Sequence, residues 1–167
     1  DVRRHIEPIY FVPEDEAARA AHCREVFAIQ SAGLAQRLEH TGCKTAVIGI
    51  SGGLDSTLAL LAVCDTFDLL GLDRKGIIGV TMPGFGTTDR TYQNALTMVR
   101  ELGCTLREIS IKDACEQHFK DLGIDPNERG VAFENSQARE RTQILMDVAN
   151  MCGGMVIGTG DMSELAL

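Results

Sequence analysis

The stretch of sequence that decides the fold lies between residues 46 and 57. It reads Ala46-Val47-Ile48-Gly49-Ile50-Ser51-Gly52-Gly53-Leu54-Asp55-Ser56-Thr57. The first five residues carry no polar side chain, which is typical of a parallel strand buried on both faces. Two adjacent glycines follow the strand, and the apolar residues over 54–70 then predict a helix that ends at Gly71. A strand, a glycine-rich turn and a helix are the opening unit of an α/β fold.

The same alternation of strands and helices continues on both sides of this unit. Predicted strands cover residues 46–50, 76–82, 105–111 and 155–158, and predicted helices cover 14–40, 54–70, 89–102, 113–122 and 135–151. Strands that alternate with helices are joined by crossover connections, and such connections produce a parallel sheet. We therefore expect an α/β fold of three layers, in which helices cover both faces of a parallel sheet.

The composition is that of a globular protein with an excess of acidic residues. The 167 residues are 44% hydrophobic and 24% charged, with a net charge of −8. A negative charge disfavours nucleic acid as a partner, because nucleic-acid binding relies on lysine and arginine. No apolar run approaches the roughly 20 residues that a membrane helix needs. The six cysteines lack the spacing of a zinc site, so we expect buried, reduced thiols in a cytoplasmic protein.

The turn after the first strand has the features of a phosphate site. Its glycines let the backbone approach a ligand, and the next helix directs its N-terminal amides into the same space. Ser51, Ser56 and Thr57 add hydroxyl groups. The lysine of the common G-x-x-x-x-G-K-[ST] loop is missing, and Asp55 lies at the helix start instead. A carboxylate that faces phosphate needs a bridging divalent cation, so Asp55 implies Mg²⁺, unless it merely caps the helix.

The pattern Ser-Gly-Gly-x-Asp-Ser at residues 51–56 resembles the pyrophosphatase loop of the ATP pyrophosphatase family. Three later segments narrow the resemblance: Thr81-Met82-Pro83-Gly84-Phe85-Gly86-Thr87-Thr88-Asp89, Phe133-Glu134-Asn135-Ser136-Gln137-Ala138-Arg139-Glu140-Arg141 and Gly158-Thr159-Gly160-Asp161-Met162-Ser163-Glu164-Leu165. Together they resemble NAD synthetase of the large glutamine-dependent type, from about residue 27 onward. The resemblance implies an adenine nucleotide alpha hydrolase-like fold of the ATP pyrophosphatase type.

The resemblance also implies roles for individual residues. The ATP-binding residues would be Gly49, Ile50, Ser51, Gly52, Gly53, Leu54, Asp55, Ser56 and Thr159, of which Ser51 and Asp55 would be catalytic. Asn135, Arg139 and Glu164 would bind nicotinic acid adenine dinucleotide (deamido-NAD), and Asp55 and Glu164 would hold Mg²⁺. Asn135 and Arg139 are four residues apart, so we expect them to share one helix face near the helix start.

Two further groups of residues have two interpretations each. Met82, Pro83 and Phe85 could line an adenine pocket, but packing of the loop onto its own strand explains them almost as well. Arg141 could belong either to the site or to the surface. The resemblance decides neither case.

The implied domain organisation and reaction follow from the same resemblance. Residues 1–42 would form an N-terminal connector and a long helix, and residues 43–167 a synthetase domain that is incomplete at its C-terminus. The reaction would amidate deamido-NAD to NAD through an acyl-adenylate, with release of AMP and pyrophosphate. ATP and Mg²⁺ would take part, and ammonia would come from a glutaminase domain expected upstream. The long N-terminal helix would suit a homo-oligomer.

Two other classes of function compete with this interpretation. One is a different amidating or thiolating enzyme of the ATP pyrophosphatase family. The other is a non-catalytic domain that binds adenine nucleotides on the same fold, since a fold alone does not fix function. Asp55 distinguishes an enzyme from a passive binding domain, because a passive binder has little use for a carboxylate that faces phosphates.

Overall fold

The computed structural model describes residues 12–125 and 127–160 of the chain. Along these residues the elements are α1 (Glu16–Thr41), β1 (Ala46–Gly49), α2 (Leu54–Leu69), β2 (Ile77–Thr81), α3 (Asp89–Glu101), β3 (Thr105–Glu108), α4 (Lys112–Leu122), α5 (Val131–Cys152) and β4 (Met155–Ile157). A short 3-10 turn, Arg74–Gly76, leads into β2. No helix in this described part is long and apolar enough to cross a membrane.

The four strands form one parallel sheet with the order β3-β2-β1-β4. Val47 in β1 lies opposite Ile78 of β2 on one side and Val156 of β4 on the other. The chain therefore moves outward from β1 to β3 and then returns to the far side of β1. In open parallel sheets, ligands bind beyond the carboxyl ends of the strands where the order reverses in this way. The loops after β1 and β4 lie at that position.

A separate hydrophobic core covers each face of the sheet. The core beneath α1, α2 and α3 includes Leu38, Ile48, Leu60, Phe67 and Val99. The core beneath α4 and α5 includes Val47, Val80, Phe119, Phe133 and Val148. The neighbouring residues of β1 contribute to opposite cores because side chains alternate along a strand. The predicted three-layer α/β fold with a parallel sheet is confirmed.

Helix α5 begins earlier than the sequence predicts. It starts at Val131, four residues before the predicted start, so Asn135 lies in the second turn instead of the first. The residue at the N-cap is Gly130, which has no side chain to accept a capping hydrogen bond. The usual sequence signal for a helix start is therefore missing at this position. Phe133 belongs to the first turn and is buried in the core.

The long helix α1 has an exposed half and a packed half. Its N-terminal part exposes Val26 (41%) and Ile29 (64%). Its C-terminal part buries Ser31, Ala35 and Leu38, and Leu38 packs in the same core as β1. The domain boundary predicted at residue 42 stays a prediction, and the packing continues across it.

The cysteines are only partly as expected. All six are free thiols, and Cys64, Cys104 and Cys115 are buried. Cys23 and Cys152 are exposed, so the expectation of buried thiols is wrong for these two residues. Both lie on helix surfaces that the sequence pattern alone does not assign to the core.

Candidate functional site

The turn between β1 and α2 is held together by its own hydroxyl groups. The Gly53 amide donates to Ser51 Oγ (3.2 Å), which lies 3.1 Å from Ser56 Oγ. Ser56 Oγ and Thr57 Oγ1 both donate to the Gly53 carbonyl, at 3.1 Å and 2.8 Å. These bonds fix the shape of the turn before any ligand arrives. Ser51 is exposed and Ser56 is buried, so Ser51 is the hydroxyl that a ligand could reach.

Gly52 is required in this turn for two reasons. Its φ angle is +81°, in the left-handed region that favours glycine. A Cβ atom at this position would also lie only 2.1 Å from the Thr91 carbonyl oxygen of α3. The turn therefore packs directly on the first turns of α3.

The N-terminus of α2 offers uncapped backbone amides. The N-cap residue is Gly53, and no side chain makes a capping hydrogen bond there. The first intrahelical bond runs from the Thr57 amide to the Gly53 carbonyl, so the amides of Leu54, Asp55 and Ser56 have no acceptor within the helix. They point out of the helix end, where the helix dipole is positive. Asp55 lies in the first turn and is not the capping residue. The interpretation of Asp55 as a simple helix cap is therefore wrong.

A cleft of about 530 Å³ opens beside this turn, at the carboxyl ends of β1 and β2. It is lined by Gly49, Ile50, Ser51, Thr81, Met82, Pro83, Gly86, Thr87, Thr91, Glu134, Gln137, Arg141, Leu145 and Thr159. Met82 and Pro83 thus line the cleft, which is the position that an adenine pocket would require. Phe85 instead packs its ring against Phe119 and Phe133, with centroids 6.0 Å and 5.5 Å away.

Asp55 lines a second cavity that adjoins the cleft. This cavity has a volume of about 470 Å³ and is also lined by Gln30, Gly158, Thr159 and Gly160. Thr159 lines both cavities, so the loop after β4 connects them. The predicted ATP-binding residues are therefore gathered at one edge of the sheet, with Asp55 beside the cleft and Ser51 inside it.

The two predicted residues of α5 lie on its outer surface. Asn135 and Arg139 line one groove of about 470 Å³, so they share a helix face as expected. Both side chains are exposed. The groove is distinct from the cleft and lies on another face of α5. Glu164, the third residue predicted to bind the same ligand, lies outside the described residues.

Gln137 and Arg141 of α5 also line the cleft, although the sequence gives Gln137 no role and leaves Arg141 open between site and surface. Gln137 is only 3% exposed, and its Oε1 accepts a hydrogen bond from the Phe85 amide at 3.2 Å. Arg141 Nε donates to the Met82 carbonyl at 3.3 Å. Their spacing of four residues is the same signal that pairs Asn135 with Arg139. Spacing alone does not tell which of the two pairs faces the cleft.

The described residues include no activated cysteine in the cleft and no preformed metal cluster. None of the cysteines in the described ranges lines the cleft, and burial raises the pKa of the Cys115 thiol. Within residues 12–125 and 127–160, no three His, Cys, Asp or Glu side chains come together to hold a metal ion. A metal ion at Asp55 would bind phosphate oxygens and water as well as protein groups, as Mg²⁺ commonly does.

The family of the chain follows from a comparison with known protein families. The family model described as NAD synthase matches residues 26–167. The chain belongs to the NAD synthase family. The match includes all four strands, the turn after β1 and the α5 residues that line the cleft and the groove.

Other members of the NAD synthase family resemble this chain in sequence and in structure. A glutamine-dependent NAD(+) synthetase from Mycobacterium leprae is 45% identical over 98% of this chain and 25% of its own length. An NH(3)-dependent NAD(+) synthetase from Pyrobaculum aerophilum is 32% identical over 83% of this chain and 50% of its own length. A glutamine-dependent NAD+ synthetase from Acinetobacter baumannii, solved in complex with adenosine diphosphate, superposes with a TM-score of 0.78 at 25% identity, over 95% of this chain and 28% of the other. The chain thus spans about a quarter of the glutamine-dependent relatives.

Proposed function

We propose that this chain is the ATP-binding part of an enzyme that converts deamido-NAD to NAD. The carboxylate of deamido-NAD attacks the α-phosphorus of ATP, which forms an acyl-adenylate and releases pyrophosphate. Ammonia then attacks the acyl carbon, which gives NAD and AMP. The observation that carries the proposal is the turn after β1. It presents uncapped amides and the Ser51 hydroxyl at the reversal of strand order, beside a cleft.

In this proposal, ATP lies across the turn and the cleft. The predicted ATP-binding set (Gly49, Ile50, Ser51, Gly52, Gly53, Leu54, Asp55, Ser56 and Thr159) surrounds its phosphates. The amides at the start of α2 bind the pyrophosphate portion, as helix N-termini bind anions. Ser51 and Asp55 are the catalytic residues: the Ser51 hydroxyl hydrogen-bonds the phosphates, and the Asp55 carboxylate would hold the cation that offsets their charge. Met82 and Pro83 contact the adenine base in the cleft.

Mg²⁺ is the cofactor that this arrangement accommodates best. Asp55 is an exposed carboxylate next to the uncapped amides. Mg²⁺ commonly binds one or two carboxylates together with substrate phosphates and water, and Glu164 is the second carboxylate that we assign. When bound there, Mg²⁺ would offset negative charge on the phosphates.

Deamido-NAD is assigned to the α5 groove that contains Asn135 and Arg139. A guanidinium group binds a phosphate or carboxylate through two parallel hydrogen bonds, and the neighbouring amide adds a further donor and acceptor. Both side chains are exposed and available to a ligand. Glu164 completes this set in the proposal.

The partners of the complete protein form the final part of the proposal. Ammonia comes from a glutaminase domain upstream of this chain; the support is the similarity to glutamine-dependent relatives, of which the chain spans about a quarter. A homo-oligomer is proposed from the exposed half of α1, where Val26 and Ile29 are available to a second copy. We assign the enzyme to the cytoplasm, where ATP and Mg²⁺ are supplied.

The proposed function is tested with the full-length protein, ATP, Mg²⁺, deamido-NAD and ammonium at a pH that leaves some ammonia unprotonated. Pyrophosphate and NAD should appear in equal amounts, and neither should form without deamido-NAD. A passive nucleotide-binding domain would bind ATP without releasing pyrophosphate. Pyrophosphate release with another carboxylate acceptor, but none with deamido-NAD, would identify a different amidating enzyme.

A further inference from the structure

The loop that follows β2 forms one wall of the cleft and is held by side chains of α5. We call residues 82–87 the wall loop. Arg141 Nε donates to the carbonyl of Met82 at the start of this loop, at 3.3 Å. Gln137 Oε1 accepts the amide of Phe85 in its middle, at 3.2 Å. One helix therefore holds the wall loop at two points, from two successive turns.

We infer that Arg141, supported by Gln137, is a positioning residue that fixes the wall loop for ATP. The inference rests on the proposed function, because it assigns a task in ATP binding to groups that need not touch the reacting atoms. The wall loop contributes Met82, Pro83 and Thr87 to the cleft. Its position therefore sets the width of the space that ATP would occupy.

Side chains of Arg141 and Gln137 pack closely against Gly84 of the wall loop. A Cβ atom built on Gly84 would lie 2.7 Å from Gln137 Oε1, 2.9 Å from Arg141 Nη2 and 3.0 Å from Ile111 Cδ1. The guanidinium group thus extends from the Met82 carbonyl to the backbone of Gly84. A planar group with several fixed donors can span this distance, whereas the single ammonium of lysine cannot.

The wall loop has other anchors that do not depend on Arg141. The Gly84 amide donates to Thr87 Oγ1 at 3.0 Å, and the Phe85 ring packs in an aromatic cluster with Phe119 and Phe133. Loss of Arg141 should therefore release the start of the loop without unfolding the domain. The expected consequence is a wider cleft.

Loss of Arg141 should affect the binding of ATP and not that of deamido-NAD. Arg141 lines the cleft, whereas Asn135 and Arg139 line the separate groove on another face of α5. The two pairs of side chains therefore belong to different substrates in the proposed function. Removing Arg141 should raise the KM for ATP and leave the KM for deamido-NAD unchanged.

The experiment compares Arg141→Met, Arg141→Lys and Gly84→Ala in the full-length protein. Mg²⁺ and ATP are titrated by calorimetry without the second substrate, and steady-state kinetics follow with both substrates. Arg141→Met and Gly84→Ala should each weaken ATP binding by about 5- to 30-fold, the range expected when a partly buried hydrogen bond is lost. Arg141→Lys should lie within about threefold of Arg141→Met, because the contact depends on the forked shape of the group.

Two control variants match these substitutions in chemistry and lie outside the site. Lys120→Met removes an exposed cation from α4, and Gly33→Ala adds a methyl group to α1 where no atom lies within 4 Å. Both should bind ATP within twofold of the wild type.

Several results would overturn the inference. One is unchanged ATP affinity in Arg141→Met or Gly84→Ala. Another is wild-type ATP affinity in Arg141→Lys, and a third is an equal rise in the KM values for ATP and deamido-NAD. If Arg141→Met does not fold, Gly84→Ala decides, because it removes no polar group. Calorimetry with ATP needs no turnover. A wild-type protein that binds ATP but makes no NAD would therefore refute the proposed function and leave the wall-loop result interpretable.

Discussion

Substitution of Gly52 by alanine should impair the turn after β1 by two separable costs. The first is backbone strain, since alanine at a φ angle of +81° is disfavoured by about 1–2 kcal/mol. The second is a steric clash, because the new methyl carbon would lie 2.1 Å from the Thr91 carbonyl oxygen. Relieving that contact requires the turn to move by about 1 Å, at a cost of about 1–3 kcal/mol. The total cost is about 2–5 kcal/mol.

The clash should appear mainly as weaker binding of ATP. A turn that moves away from α3 no longer presents its amides in the same place. Binding ATP would require the turn to move back, so the free energy of binding is reduced by the cost of the clash. A loss of about 1–3 kcal/mol corresponds to roughly 5- to 150-fold weaker binding. Calorimetric titration of the full-length variant with ATP and Mg²⁺ measures this loss, and thermal unfolding measures the remaining strain.

Gly71→Ala is the matched control for Gly52→Ala. Gly71 has a φ angle of +65°, but no atom lies within 4 Å of the position of its Cβ. It follows α2 at the end of the helix remote from the turn. This variant should lose stability through backbone strain alone and bind ATP like the wild type. Gly52→Ala binding ATP within twofold of Gly71→Ala would refute the reasoning.

Three further variants test the site and the electrostatics of the fold. Asp55→Asn should slow pyrophosphate release roughly a thousandfold, or about 4 kcal/mol, with little change in thermal stability; retention of more than about a third of the activity would contradict the role of Asp55. Arg139→Ala should weaken deamido-NAD binding by roughly ten- to a hundredfold through loss of a charged hydrogen bond; a rise in the KM for ATP alone would mean that the substrate assignment is wrong. The Arg74 side chain hydrogen-bonds Asp68 and holds the pKa of this carboxyl below its ordinary value of 3.8. The stabilisation is therefore present above that value and is lost as the pH falls through the lower folded pKa. Asp68→Asn should melt earlier than the wild type at neutral pH, and the difference in melting temperature should shrink as the pH falls below 3.8; a difference of constant size would disprove the linkage.

The order of the elements could be predicted because each element carries a local signal. The five apolar residues before Ser51 predict β1 from composition alone. Gly42, Gly71, Gly103 and Gly153 all adopt positive φ angles at helix ends, where glycine is preferred. The start of α5 lacks such a signal, because its N-cap is Gly130, which has no capping side chain. The error in its predicted start therefore arises from a missing local signal.

The composition of the site could be predicted only in part. The turn after β1 combines glycines, hydroxyls and a helix start within eight residues, so sequence identifies it. Which face of α5 lines the cleft depends on how Phe133 and Val148 pack against the sheet, and sequence spacing does not determine that rotation. The sequence therefore gives Gln137 no role and leaves Arg141 open between site and surface, although the two residues carry the same spacing as Asn135 and Arg139. The separation of Asp55 from the cleft likewise depends on packing between distant segments.

The fate of the carboxylate oxygen tests the central claim most directly. Deamido-NAD labelled with ¹⁸O in its nicotinate carboxylate is incubated with the full-length protein, ATP, Mg²⁺ and ammonia, and the products are separated for mass spectrometry. An acyl-adenylate carries one carboxylate oxygen to the α-phosphorus, and that oxygen leaves with AMP when ammonia attacks the acyl carbon. The account therefore predicts one ¹⁸O atom in AMP and none in pyrophosphate. Unlabelled AMP, or ADP together with labelled inorganic phosphate, would contradict it.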